Sequence, residues 1–437
     1  MRDLFAKALT SVQVETELQQ RVRCDGSVLV VDDMQYDLAD FSRIALVSIG
    51  KAAVPMCSYF AQILRSALRG GQQIEGVTVG AALSARLPEG IRYFAGSHPI
   101  PNGISRDAAV EIMKLLHSLD EHSLVLFLIS GGGSAMVEMP IDSSVSVEDT
   151  AEFYKALLHS GLSIVEMNIL RKHFSAVKGG RMAEAAGEAT QCTVLVCDVP
   201  EDALNMVSSG PSLPDTSTTA ECLELIASRN LENVLPDRVM RYLRSVATQE
   251  TPQETSAVFS RSRWTCLLSN ERLLDCAARL AEDAGYKVVI DNTCDDWDYR
   301  KAADYLLNQL KILAGEHTRV CVLSGGEVGV EICGAAGVGG RNQQFALYCA
   351  TQIGTRFQGQ YVSVLSAGSD GIDGNSASAG AVADWTTVQR AQEHGMDPLR
   401  ALQEFNSGKL FEELGDAIVT GPTGNNLRDI RMLLSTE

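Results

Sequence analysis

The residues able to do chemistry stand where apolar runs end. Val47-Ser48-Ile49-Gly50-Lys51-Ala52-Ala53 closes a strand-like stretch and opens a helical one. Gly50 permits a tight turn, and Lys51 then stands among the unpaired N–H groups of a helix start, a place suited to an anion. A lysine that only extends into solvent would read the same way. Ser130-Gly131-Gly132-Gly133-Ser134-Ala135 follows the most apolar run, residues 124–129. Three glycines have no side chains to block phosphate oxygens, and their N–H groups can form a concave nest. A flexible strand-to-helix turn is the plainer reading. No G-x-x-x-x-G-K-[ST] occurs, so the loop is not a Walker A motif.

Arg171, Lys172, His173, Lys178 and Arg181 lie within eleven residues that hold no acid, in a chain with 55 acids and 37 bases. A solvated helix face mixes signs to form i,i+4 pairs, so this run favours an anion site, although Gly179-Gly180 also fits a simple helix end. Cys197-Asp198-Val199-Pro200 puts a carboxylate at a strand end, placed as a Mg²⁺ ligand, a general base or a turn cap. Ser208-Ser209-Gly210-Pro211 follows closely. Further on, Ser324-Gly325-Gly326-Glu327 lies near a glycine-rich loop that leads into Arg341, Asn342 and Gln343. There a guanidinium can meet phosphate or carboxylate through two hydrogen bonds. Ser369-Asp370-Gly371-Ile372-Asp373-Gly374 sets two carboxylates on a turn without the other ligands of an EF-hand; Mg²⁺ held by one carboxylate plus substrate phosphates suits it better. Thr420 to Asn426 is read as ending the final strand ahead of a helix.

These residues need a scaffold of strand ends. Short β-branched runs alternate with helical periodicity along the 437 residues, which predicts α/β domains with parallel sheets and crossover helices. Expected strands are 27–31, 44–49, 77–80, 124–129, 193–197, 265–268, 287–290, 319–323, 328–332, 361–365 and 417–419. Expected helices include 52–69, 105–118, 270–284 and 297–313. The segment 247–263 loses apolar periodicity and reads as a linker, dividing the chain into domains 1–250 and 251–437. A formal charge of −18 argues against nucleic-acid or anionic-membrane partners. No run is long enough to span a bilayer, and the N-terminus lacks a signal-peptide core. Eleven scattered cysteines without C-x-x-C, with Cys192, Cys197, Cys266 and Cys321 in apolar contexts, read as reduced core residues of a cytoplasmic protein. The seven histidines show no zinc-ligand spacing.

Ten segments, in order, resemble the type II (MOFRL) glycerate kinases: GKAA at Gly50, GSHPIPN at Gly96, SGGGSA at Ser130, LRKHFSAVKGGR at Leu170, CDVP at Cys197, SSGPS at Ser208, LSGGE at Leu323, GGRNQQF at Gly339, SDGIDG at Ser369 and TGPTGNN at Thr420. The resemblance implies a larger N-terminal Rossmann-like domain, a smaller C-terminal α/β domain and an active site in the cleft between them. It implies ATP with Mg²⁺, and D-glycerate phosphorylated to 2-phosphoglycerate. Lys51, Arg341, Asp198 and Asp370 are then the expected catalytic residues, with Asp198 and Asp370 rivals for metal ligand and base. Lys51 would neutralise the transferring phosphoryl group; Arg341 would do the same or clamp the glycerate carboxylate. Ser130, Gly131, Gly132, Gly133, Ser134, Lys178, Gly325, Gly326 and Glu327 are expected at the ATP phosphates, and His98, Arg171 and Asn342 at the acceptor. A homodimer stays open. The sequence departs from the family at Glu201, Asn425, Asn375 to Ser378 and Asp296 to Arg300; the last two departures fall in loops expected to border the substrate and leave room for a related small hydroxy-acid. Family members also carry the label hydroxypyruvate reductase, but that activity needs a dinucleotide fingerprint, and none of the glycine loops has G-x-G-x-x-G between strand and helix.

Overall fold

The structure, a computed structural model, describes residues 1–68, 72–80, 87–245, 249–332, 334, 336–424 and 426–436, without the side chain of residue 201. The departure at Asn425 therefore lies outside the described residues. The chain forms two compact units: Val14–Leu267, and Met1–Gln13 together with Leu268–Glu437.

In the first unit, β1 (Val22–Asp25), β2 (Val28–Val31) and β3 (Met34–Asp37) make a small antiparallel meander. The main sheet contains β4 (Arg43–Ile49), β5 (Gln73–Gly80), β6 (Ile91–Ala95), β7 (Ser123–Ser130), β8 (Thr190–Val196) and β9 (Ser262–Leu268), in the order β6-β5-β4-β7-β8-β9. Pairing from β6 to β8 is parallel throughout. Every residue of β7 is buried, as a strand covered on both faces must be, which is why its sequence is a continuous apolar run. From β4 the chain adds β5 and β6 on one side, then returns to add β7 and β8 on the other. The reversal lies between β4 and β7. In an open parallel sheet, a crevice for ligands opens at the carboxyl ends of such a strand pair. Lys51 follows β4 and the triple-glycine loop follows β7.

In the second unit, β10 (Lys287–Ile290), β11 (Arg319–Gly326), β12 (Tyr361–Gly368), β13 (Gly380–Asp384), β14 (Ala417–Ile418) and β15 (Asp429–Thr436) pair in the order β10-β11-β15-β12-β13-β14. Only β10 and β11 are parallel; the remaining pairs are antiparallel, so the expected parallel sheet is corrected to a mixed one. Helices Tyr299–Ala314 and Arg341–Arg356 pack together over a core that includes Leu306, Leu310, Phe345 and Val364.

Three further expectations change. The segment 328–332 is not a strand: apart from a single bridge at Gly329 it is irregular, while β11 runs on through Gly325 and Gly326. The strand after Thr420 is missing from the sequence reading, which placed a helix there; β15 is central to its sheet, with the fully buried Arg431 interrupting its apolar pattern. The division at 250/251 moves to 267/268, because β9 extends the first sheet beyond β8, and Thr251 and Pro252 bond to the buried Asp215 segment. The first helix, Arg2–Ser11, packs on helix Asn270–Asp283, which is why residues 1–13 belong to the second unit. Cys192, Cys197 and Cys321 are buried as expected, whereas Cys266 is half-buried.

Candidate active site

The switch point of the first sheet gathers several of the residues singled out by type. The Lys51 N–H donates to the Gly131 carbonyl at 3.0 Å, and the Ala52 N–H to Ser130 Oγ at 3.0 Å, so the turns after β4 and β7 are locked together. A Cβ on Gly131 would collide with the Asp198 carboxylate, which therefore lies against the loop. Gly132 has φ +85°, a left-handed conformation that favours glycine, and a Cβ there would stand 3.5 Å from Lys51 Cγ and 3.6 Å from His98 Cδ2. Lys51, His98, Asp198 and residues 130–134 thus share one small region. Lys51 is exposed. Burial, then the positive charges of Lys51 and Arg171, hold the His98 imidazole below its ordinary pKa and favour its neutral form.

A second segment closes this region from below. Ser208 Oγ donates to the Ser130 carbonyl at 2.7 Å, and Ser209 Oγ lies 2.7 Å from Ser134 Oγ and donates to Asn168 Oδ1 at 2.9 Å. Ser208 and Ser209 have φ of 51° and 62°. Such strain in non-glycine residues gathers at functional sites. The SSGPS motif marked the segment; its contacts with the glycine loop were not legible in it.

The basic run 171–181 is almost wholly buried, and most of its charge is used inside the unit. Lys172 pairs with Asp215 at 2.7 Å, and Arg181 donates to the carbonyls of Lys172, Ser175 and Gln249. Lys178, expected at the ATP phosphates, instead donates to the Val137 carbonyl at 2.8 Å and pairs with Glu138 at 3.0 Å, with both side chains 1% exposed. Burial pulls its pKa down, Glu138 offsets part of that, and Arg171 adds to it. Its ammonium holds the fold.

In the second unit, Arg341 opens helix Arg341–Arg356 and makes a two-pronged pair with Asp429, Nε–Oδ2 at 2.6 Å and Nη2–Oδ1 at 3.1 Å. Nη2 also meets Glu327 Oε1 at 2.9 Å. Burial opposes the guanidinium charge, but the hydrogen bonds and charge of Asp429, then Glu327, win, and its pKa lies above the ordinary value. Glu327 is therefore a partner of Arg341, and any anion it meets arrives through that cation. Asp370 accepts from the Ile372 N–H at 3.0 Å within its own turn. Asp373 does different work: 1% exposed, it accepts the N–H groups of Asn342 and Gln343 at 3.0 and 2.8 Å, capping the helix that carries Arg341. Asn342 is buried between Asp373 and Ser366, away from the acceptor role expected of it. The N–H groups of Gly325 and Gly326 go to Asn292 and Asn270, so the phosphate role expected of those two glycines is likewise filled from within. Asp429, which orients Arg341, escaped the sequence reading because it sits at the start of an unrecognised strand.

Among the described residues, no group of three or more His, Cys, Asp or Glu is arranged to hold a metal, and no helix is long and apolar enough to cross a membrane.

Comparison with known proteins bears on what this geometry serves. Residues 1–244 match a family described as a domain of unknown function, DUF4147, and residues 320–429 match the MOFRL family. The D-glycerate 2-kinase of Thermotoga maritima is 32% identical over 90% of this chain and 90% of its own length. The chain belongs to the MOFRL glycerate kinase family. The glycerate 2-kinase of Pyrococcus horikoshii, another member, is 27% identical over 99% of this chain and 96% of its own. A protein of Agrobacterium vitis named putative hydroxypyruvate reductase is 31% identical over 90% of this chain and 99% of its own, so the family carries both names. The crystal structure of the Thermotoga maritima glycerate kinase superposes with a TM-score of 0.82, at 29% identity, covering 99% of this chain and 98% of that one.

Proposed function

We propose that the protein is an ATP-dependent glycerate kinase that forms 2-phosphoglycerate from D-glycerate. The observation that carries this reading is the switch point of the first sheet, where a cation, a glycine loop and a carboxylate converge in a chain of this family. Phosphoryl transfer asks mainly for positioning and charge neutralisation, and these groups supply both. The loop 130–134 brings backbone close to the phosphates. The Lys51 ammonium neutralises the transferring phosphoryl group as the glycerate hydroxyl attacks in line and ADP departs. Arg341, oriented by Asp429, is the second essential cation.

Mg²⁺ is commonly held by one or two carboxylates together with phosphate oxygens, so a site without three protein ligands fits it. Asp198, packed against the phosphate loop, is the residue that would hold it, and bound Mg²⁺ would neutralise phosphate charge. Asp370, occupied within its own turn, remains the rival for that role and for base to the attacking hydroxyl. ATP as co-substrate agrees with a cytoplasmic enzyme.

The reductase reading asks for a dinucleotide fingerprint that the sequence lacks. Parallel assays separate the two. ATP consumption that depends on D-glycerate, with no NADH oxidation in the presence of hydroxypyruvate, is the expected pattern; the reverse pattern would overturn the kinase.

A further inference from the structure

One cation of the basic run has neither a carboxylate nor a set of carbonyls to meet it. Arg171 is 6% exposed, and among the described residues no carboxylate lies within ion-pair distance of it. Its Nε is buried without a hydrogen-bond partner. Its guanidinium carbon stands 4.8 Å from the centroid of the Tyr154 ring. Lys172, Lys178 and Arg181, by contrast, are matched by Asp215, Glu138 and three carbonyls. Burying a guanidinium is costly unless something meets its charge and its N–H groups. Its neighbours in the run are satisfied from within the unit, and Arg171 is the one left open to a ligand.

We propose that Arg171, resting on Tyr154, binds the carboxylate of the acceptor and makes the enzyme select hydroxy-acids over neutral polyols. This rests on the kinase reading above and gives that reading its acceptor subsite. Arg171 acts electrostatically on His98, and His98 and Lys51 flank Gly132, so the guanidinium belongs to the same region as the phosphate loop. Lys51 is exposed and a point charge, suited to a phosphoryl group. Arg171 is enclosed and planar, suited to the two oxygens of a carboxylate. Tyr154 fixes the platform: its hydroxyl lies 3.0 Å from the Ser134 carbonyl and 2.5 Å from Glu138 Oε2, which ties Arg171 to the glycine loop. Lys178 neutralises Glu138, so Arg171 keeps its charge for the ligand. Tyr154 is a positioning residue, while Arg171 touches substrate.

The test uses the full chain. Arg171→Lys keeps the charge but loses the planar fork, and kcat/KM for D-glycerate should fall by about 10²-fold through KM, with KM for ATP unchanged. Tyr154→Phe should give a smaller rise in the same KM. A rise in KM for ATP alone would assign Arg171 to the nucleotide phosphates and overturn the proposal, as would no change in either constant. Wild-type protein gives a check independent of folding: lactate should compete with glycerate and propane-1,2-diol should not, and equal competition would refute the carboxylate subsite. Absence of any glycerate-dependent ATP turnover in the wild type would be failure of the kinase reading itself.

Discussion

Replacing Asp429 by Asn isolates what orients Arg341. Asp429 is 1% exposed and accepts two guanidinium N–H groups, at 2.6 and 3.1 Å. Asn has nearly the same shape, but it offers one acceptor and turns an NH₂ group toward another donor. Breaking a fully buried ion pair costs about 3–5 kcal/mol. The Arg341 side chain is 36% exposed and keeps Glu327 as a partner, so solvent and Glu327 reduce that figure to about 2–3 kcal/mol. The helix carrying Arg341 keeps its cap, because Asp373 is untouched. A displaced guanidinium then shows in the chemistry: a misplacement near 1 Å can cost about 10²-fold in rate. The expectation for Asp429→Asn is thus a kcat lower by about 10²-fold and a folded protein with a reduced melting temperature. Steady-state kinetics with both substrates varied, beside thermal unfolding by circular dichroism, provides the comparison. Turnover within about twofold of wild type, in a variant measurably destabilised, would show that the Asp429 pair serves stability alone and refute the positioning argument.

Other outcomes follow from the buried charges. Burial, with Asp429 nearby, lifts the Asp373 carboxyl from 3.8 to about 6 against the pull of its two N–H bonds. The folded state thus holds this proton more tightly than the unfolded chain, and stability falls as pH rises from about 4 to 7. Relative to Asp373→Asn, the wild type should lose up to about 3 kcal/mol across that window in urea titrations, and a pH-independent difference would contradict the assignment. Lys178→Met leaves Glu138 buried without its cation and should destabilise the fold by about 3–5 kcal/mol; unchanged stability would return Lys178 to the list of ligand-binding residues. Asp198→Asn should raise the Mg²⁺ concentration needed for half-maximal rate, and an unaltered Mg²⁺ dependence would exclude Asp198 as the ligand.

How much of this was readable in the chain depended on where the information lay. Continuous apolar runs such as β7 announce strands buried on both faces, and the glycine loops after them announced backbone open to a ligand, while the switch point itself needed the strand order. β15 was hidden because Arg431, fully buried, breaks its pattern, and with it went Asp429. The basic run was visible by composition. Which of its cations were already paired was not, because Asp215 lies 43 positions from Lys172 and Glu138 lies 40 from Lys178. Asp370 and Asp373 looked alike on one turn, yet only one of them caps a distant helix. The family resemblance supplied the activity; the three-dimensional contacts separate the residues gathered at the turns after β4 and β7 from those whose polar groups are used inside the fold.

The most direct measurement is the ³¹P NMR spectrum of the product made from ATP and D-glycerate by the wild type and by Lys51→Ala. Wild-type protein should give a phosphate ester coupled to a single methine proton, marking the 2-hydroxyl, and Lys51→Ala should lower the rate of its appearance by about 10³-fold. No ester formed by the wild type, or full speed without the lysine, would contradict the account.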